Sequence, residues 1–190
     1  MRLVSRFSPC LLLLACLLLA ACSPELDWRV IQNGEGGYAA MFPGKPGAEQ
    51  RKVTMAGARF DMQMQAASAG GALFAVGAAT LPQGATEGLR AQVLEAMKQG
   101  LLANFDDLRV SESRAQVQTA AAPQQQVDAL QFTATGTARG DGQRRRVYAR
   151  LMARNGHAYQ VVVIEPLAAG ESNAKIKEQA EQFLAGFQPH

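Results

Sequence analysis

Cysteine is the residue type with the most versatile side-chain chemistry in this sequence, and its three copies all lie within the first 22 residues. They are Cys10, Cys16 and Cys22. A thiol can act as a nucleophile, ligate a metal, form a disulfide or carry a thioether-linked lipid. Because residues 23–190 contain no cysteine, the sequence excludes disulfides, thiolate catalysis and cysteine metal sites from that part of the chain.

Cys22 ends a segment that has the organisation of an export signal. Arg2 and Arg6 give a basic start, and the apolar run of residues 11–21 is shorter than the roughly 20 residues that a bilayer needs. The segment Leu19-Ala20-Ala21-Cys22 resembles the lipobox of bacterial lipoproteins at all four positions. The resemblance implies cleavage before Cys22 and attachment of a diacylglycerol to its sulfur. An ordinary signal peptide beside an unmodified cysteine is the alternative.

The same resemblance divides the chain and predicts its location. Residues 1–21 are the expected lipoprotein signal peptide, 22–27 an acylated tether and 28–190 a single α/β/α domain. Ser23 stands where an aspartate would imply retention at the inner membrane, so we expect a lipid anchor in the outer membrane, facing the periplasm. An extended tether from Ser23 to Asp27 spans at most about 17 Å, which keeps the domain near the bilayer.

The arrangement of titratable residues does not indicate catalysis. A general acid or base needs a titratable side chain in a cleft, but His157 follows a predicted hairpin turn and His190 is the last residue of the sequence. The sequence has no Ser/His/Asp order, no histidine metal spacing and no glycine-rich phosphate loop before a helix. We therefore expect a non-enzymatic protein without a cofactor or metal. The alternative is an envelope hydrolase or transferase whose site the sequence does not reveal.

Arginine is concentrated in one predicted hairpin. In the predicted pairing, Arg139 lies opposite Arg144 and Thr137 lies opposite Arg146. One face of the hairpin then carries a candidate anion-binding surface, which consists of Arg139, Arg144, Arg146 and Arg150. Its candidate ligands are anionic lipid headgroups, a polyanionic envelope glycan or an acidic protein. The alternative is a solvated hairpin whose charges discourage pairing with other sheets.

Length and net charge limit the number of domains and the classes of partner. Removal of residues 1–21 leaves 190 − 21 = 169 residues, a normal length for one domain. It also removes Arg2 and Arg6, so that 19 basic residues become 17 against 16 acidic ones and the net charge is about +1. Nucleic acid is therefore not an expected partner.

Hydrophobic periodicity predicts an α+β domain. Apolar residues recur every fourth position over residues 86–105, with Thr86 as N-cap, and again over residues 176–187, which predicts two helices. Strict alternation over residues 59–66 predicts a half-buried strand, whereas residues 157–165 are apolar on both faces and predict a central strand. We therefore expect a single antiparallel sheet of about six to seven strands, with helices packed on both faces.

The segment Tyr38-Ala39-Ala40-Met41-Phe42-Pro43-Gly44-Lys45-Pro46 opens a strand pair, helix, meander and final helix. This order resembles the Mog1/PsbP-like α/β/α sandwich over the whole mature domain. The resemblance implies that fold and offers no catalytic residues. We expect a lipid-anchored periplasmic binding or scaffolding module, whose candidate partners besides the membrane are an envelope protein, a glycan or an anionic lipid. The sequence does not indicate an oligomeric state.

Overall fold

The computed structural model describes residues 26–167 and 173–190. Within these residues the chain forms ten strands and two helices. The strands are β1 (Arg29–Asn33), β2 (Tyr38–Phe42), β3 (Gly47–Met55), β4 (Ala58–Ala69), β5 (Ala72–Thr80), β6 (Phe105–Gln118), β7 (Gln126–Ala138), β8 (Arg144–Arg154), β9 (His157–Pro166) and β10 (Gln188–Pro189). The helices are α1 (Glu87–Leu102) and α2 (Ala174–Ala185). None of the described helices is both long and apolar enough to cross a membrane.

The strands divide into two sheets. Seven strands form an antiparallel sheet in the order β3-β4-β5-β9-β8-β7-β6, and three others form a small sheet in the order β1-β2-β10. The predicted architecture, a single sheet with helices packed on both faces, is therefore wrong. The proline-rich segment after Phe42 ends β2. β2 pairs with β1 on one side and with β10 on the other, and none of the three strands joins the large sheet.

The two faces of the large sheet contact different elements. On one face, Val93 and Met97 of α1 join an apolar cluster. On the other face, both α2 and the small sheet pack against the large sheet. The ring of Phe183 in α2 lies 5.2 Å from the ring of Phe42 in β2 and 5.4 Å from the ring of Phe74 in β5. The second face is therefore covered by a mixed layer of one helix and the small sheet, and not by helices alone.

Several local predictions are confirmed. β9 is the middle strand of the large sheet, with Val161 and Val163 in one apolar cluster and Val162 in the other. The hydroxyl oxygen of Thr86 accepts a hydrogen bond from the backbone N–H of Leu89 at 3.2 Å and so caps α1. The helix itself is shorter than expected, since α1 ends at Leu102 and residue 105 already belongs to β6.

The β7–β8 hairpin has the predicted faces but a register shifted by two residues. Thr137 lies opposite Arg144 and Thr135 opposite Arg146. The backbone N–H of Ala138 donates to the carbonyl oxygen of Gln143 at 2.8 Å, which closes the hairpin there and leaves Arg139 in the loop. A shift of two residues leaves every side chain on its predicted face, because the strand repeat is two.

Candidate functional site

The predicted lipidation site, Cys22, lies outside the described residues, and its modification stays a prediction. The first described residues are attached to the fold by two contacts. The backbone N–H of Asp27 donates to the carbonyl oxygen of Pro43 at 3.1 Å, and the ring of Trp28 packs edge-on against Phe74 at 6.3 Å. The segment that leaves the expected tether is therefore joined directly to the folded domain.

Arg150 connects the large sheet to the end of α2. Its Nη2 and Nε donate to Oε1 of Gln131 at 2.7 and 3.1 Å, and its Nη1 donates to the carbonyl oxygen of Leu184 at 3.0 Å. Leu184 lies in the last turn of α2, where carbonyl oxygens have no partner within the helix and a cation is favourable. Burial lowers the pKa of Arg150, but a guanidinium remains charged at neutral pH. This side chain therefore has a structural role.

Arg146 reaches a carboxylate inside the protein. Its Nη1 lies 3.4 Å from Oε1 of Glu165, which has no exposed surface. The hydroxyl of Tyr148 donates to the same oxygen at 3.0 Å. Burial of a carboxyl group is costly unless the group has an ion partner and hydrogen bonds. The cation and the phenol together supply them.

The other two arginines of the predicted surface are exposed. Arg139 forms a salt bridge with Asp106 of β6 at 2.9 Å, whereas Arg144 lies at the start of β8. The predicted surface is thus divided, since Arg146 and Arg150 reach inward and only Arg139 and Arg144 lie in solvent. Anion binding by these four residues stays a prediction.

A groove of about 400 Å³ lies between β1 and the neighbouring face of β3 and β4, and the sequence analysis did not predict it. It is lined mainly by carboxamide side chains, which are Gln32, Asn33, Gln50, Gln63 and Gln65. Glu35 adds a carboxyl group, whereas the side chain of Glu49 lies on the opposite face of β3 from Ala48 and Gln50, and no basic residue is among the described residues that line the groove.

The strand pairing explains why these amides meet. Gln50 lies opposite Gln63, and Ala48 lies opposite Gln65, so all four occupy the same face of the β3–β4 pair. The strict alternation of β4 placed Gln63 and Gln65 on a polar face, as predicted. That face does not lie open to solvent, because the β1–β2 hairpin covers part of it and leaves both glutamines half-buried.

Hydrogen bonds fix the orientation of the groove amides. The Asn33 side chain donates through Nδ2 to Oε1 of Gln63 at 3.3 Å and accepts from the backbone N–H of Gly36 at 2.7 Å. The hydroxyl of Tyr38 donates to Oε1 of Gln65 at 2.6 Å. Because both glutamine carbonyl oxygens already accept hydrogen bonds, the glutamine NH₂ groups provide the donors for a ligand.

Tyr38 gives the groove a testable pH dependence. Burial raises the pKa of Tyr38 to about 12, although a side-chain hydrogen bond from Asn33 acts in the opposite direction. An unfolded tyrosine titrates near 10, so the folded state favours the neutral phenol. This contribution is complete below pH 10 and is lost as the pH rises towards about 12.

We expect the free energy of unfolding to fall by about 2–3 kcal/mol more in the wild-type protein than in Tyr38→Phe over that range. Denaturant unfolding at a series of alkaline pH values measures the difference. The stability difference between the two proteins at neutral pH measures the lost hydrogen bond to Gln65. This loss does not depend on ionisation, so it can be subtracted from the differences measured at alkaline pH. If the free energy of unfolding fell equally with pH in the two proteins, Tyr38 would ionise as freely in the folded protein as in the unfolded chain.

The groove chemistry favours binding of a polar ligand that is neutral or positively charged. It combines amide donors and acceptors with the carboxyl group of Glu35, which would repel an anion. Among the described residues, no three His, Cys, Asp or Glu side chains are grouped to hold a metal ion.

No model of a known protein family matches the chain, and no curated protein matches it. Among solved structures, the chain is similar to a protein of the PsbP class, the class that the segment around Phe42 resembles. That structure is the solution structure of cyanobacterial PsbP (CyanoP) from Synechocystis sp. PCC 6803. The sequence identity is 10% and the TM-score 0.46, over 91% of this chain and 99% of that chain.

Proposed function

We propose that this protein is a non-enzymatic binding module that a lipid on Cys22 attaches to the bacterial outer membrane, facing the periplasm. The observation that carries the proposal is the amide-lined groove, which has hydrogen-bonding groups for a polar ligand. Its titratable side chain, Glu35, has no nucleophile or basic residue beside it among the lining residues that the structure describes. Such a site suits recognition rather than catalysis.

The position of the groove along β1 supports an orientation in which the groove faces away from the membrane. Arg29 begins β1 seven residues after Cys22, whereas Gln32, Asn33 and the following turn line the groove. A strand rises about 3.3 Å per residue, so Asn33 lies about 13 Å further along the strand than Arg29. A tether that enters at Arg29 therefore leaves the groove on the side remote from its own attachment point.

The lipid anchor is tested by Cys22→Ala. We expect the wild-type protein to incorporate labelled palmitate and to fractionate with the outer membrane, and the variant to lose both properties, because stable attachment requires more than one acyl chain. Cys16→Ala is the matched control, since it also removes a thiol that follows an alanine, and it should retain both properties. A variant at Cys22 that is still labelled would contradict the proposal.

The binding role is tested in the same cells by a photo-crosslinking amino acid at Gln50. We expect a defined adduct from this position and none from Glu178, an exposed residue of α2 that does not line the groove. Absence of an adduct at Gln50, or the same adduct at both positions, would contradict a binding role for the groove.

A further inference from the structure

Arg150 carries a half-buried positive charge that no described carboxyl group balances. Its hydrogen bonds go to two neutral acceptors, Gln131 and the carbonyl oxygen of Leu184. By contrast, Arg139 and Arg146 each have a carboxyl partner, at 2.9 and 3.4 Å. Burial of a charge is costly unless an opposite charge accompanies it. Of the four predicted arginines, Arg150 is thus the one whose burial favours an added anion.

Arg150 also retains hydrogen-bond donors for an anion. A guanidinium has five N–H groups. Nε and Nη2 each donate one to Gln131, and Nη1 donates one to the carbonyl oxygen of Leu184. One N–H group on each terminal nitrogen therefore has no acceptor among the described residues. Such groups bind the oxygen atoms of carboxylates and phosphates.

A pocket of about 160 Å³ lies beside this guanidinium, between α2 and the strands β7 and β8. Thr133 of β7 and Lys177 of α2 line it together with Arg150. The half-buried hydroxyl of Thr133 has no hydrogen-bond partner among the described residues, so it can donate to a ligand. The pocket is smaller than the roughly 300–1,000 Å³ of sites for drug-sized molecules and therefore suits one small chemical group.

The charges that line the pocket favour an anion. Arg150 and Lys177 contribute two positive charges, and Glu181 contributes one negative charge. Glu181 lies 3.9 Å from the ammonium of Lys177, and the two side chains are 66% and 60% exposed. A salt bridge in solvent contributes little, so Lys177 can exchange this carboxyl group for an anion at a small cost.

We propose that the pocket binds one phosphate group, with Arg150 and Lys177 as its cationic partners and Thr133 as a hydroxyl donor. The donors reach the pocket from β8, α2 and β7. A carboxylate has two oxygens for them, whereas a phosphate group has three or more. Free phosphate and a phospholipid headgroup share this chemistry, and the experiment below distinguishes the two sources.

This pocket is separate from the amide-lined groove. Arg150 and the groove residue Gln65 lie in one row across the same face of the large sheet, with one residue of β9 and one of β5 between them. The layer of α2 and the small sheet packs on the core between the two sites. The inference is therefore independent of the proposed function.

The test titrates the acylated protein, in micelles of a phosphate-free maltoside detergent, with sodium phosphate at constant ionic strength. We expect saturable shifts of the backbone amide resonances of Thr133 and Arg150. Lys177→Gln and Thr133→Val should each raise the dissociation constant at least about fivefold, because each removes a donor to a charged group. Arg150→Met should abolish binding, and the two milder variants decide the question if its spectrum shows a disturbed fold.

Two controls separate the pocket from the general charge of the surface. Arg144→Met removes an exposed guanidinium of the same strand outside the pocket and should bind phosphate like the wild type. Glu181→Gln should tighten binding about two- to fivefold, because it removes the opposing carboxyl group. Glu178→Gln, an exposed position of α2 outside the pocket, should leave the dissociation constant unchanged.

Glycerophosphoethanolamine distinguishes the two sources of the phosphate group. Binding at least as tight as that of inorganic phosphate would identify a phospholipid headgroup, and weaker binding would identify the free ion. Shifts that do not saturate, equally tight binding of acetate, or an equal loss in Arg144→Met would each overturn the inference. None of these results would affect the crosslinking at Gln50, which tests the amide-lined groove.

Discussion

Phe183→Ala is expected to lower the free energy of unfolding by about 3–5 kcal/mol, the range for deleting a fully buried phenylalanine ring. Phe183 has no exposed surface and lies where three elements meet. From α2 its ring contacts Phe42 of the small sheet and Phe74 of the large sheet at 5.2 and 5.4 Å. The truncation leaves a cavity among rigid rings, which cannot close without moving one of the two sheets.

Denaturant unfolding followed by circular dichroism measures this loss. The matched control is Gln182→Ala, which removes the neighbouring exposed side chain of α2 and should change stability by no more than about 0.5 kcal/mol. A loss below about 1 kcal/mol for Phe183→Ala would mean that α2 and the two sheets are not joined through this ring.

Arg150→Met is expected to lower the free energy of unfolding by about 2–3 kcal/mol, because hydrogen bonds to a charged group contribute more than neutral ones. The methionine keeps much of the apolar stem but removes the donors to Gln131 and to the carbonyl oxygen of Leu184. Both acceptors are then left at a partly buried interface without this partner. The end of α2 also loses its favourable cation.

Arg144→Met is the matched control, since it makes the same change at an exposed position of the same strand face. We expect a change of no more than about 0.5 kcal/mol, measured by the same unfolding experiment. Equal losses at the two positions would contradict the structural role of Arg150. If Arg144→Met is silent as expected, it also allows anion binding to be tested without disturbing the fold.

The sequence was sufficient to predict the structural features that depend on residues close together in the chain. The alternation of β4, the doubly apolar β9 and the cap at Thr86 follow from side chains a few residues apart. The β7–β8 faces were also predictable, because they depend only on odd and even positions. The register was not, because a shift of two residues keeps the same faces, and alternation does not distinguish the two pairings.

The second sheet and the groove could not be predicted for a related reason. β1 and β2 have five residues each and β10 has two. Strands this short do not show enough hydrophobic periodicity to predict which strands they pair with. The groove collects side chains from β1, β3 and β4, and each of them alone resembles an ordinary solvent-facing residue. The one available signal was the polar face of β4, whose glutamines alternate with core methionines.

The continuity of β1 with the segment that precedes it has a mechanical consequence. A pull between the chain before Arg29 and an object held in the groove would act on β1 and on the contacts that Asp27 and Trp28 make with Pro43 and Phe74. Five residue pairs join β1 to β2, and a force along the strand would stretch their hydrogen bonds together in shear. The small sheet would therefore carry part of such a tension, and the seven-stranded sheet would carry the rest through β3 and β4.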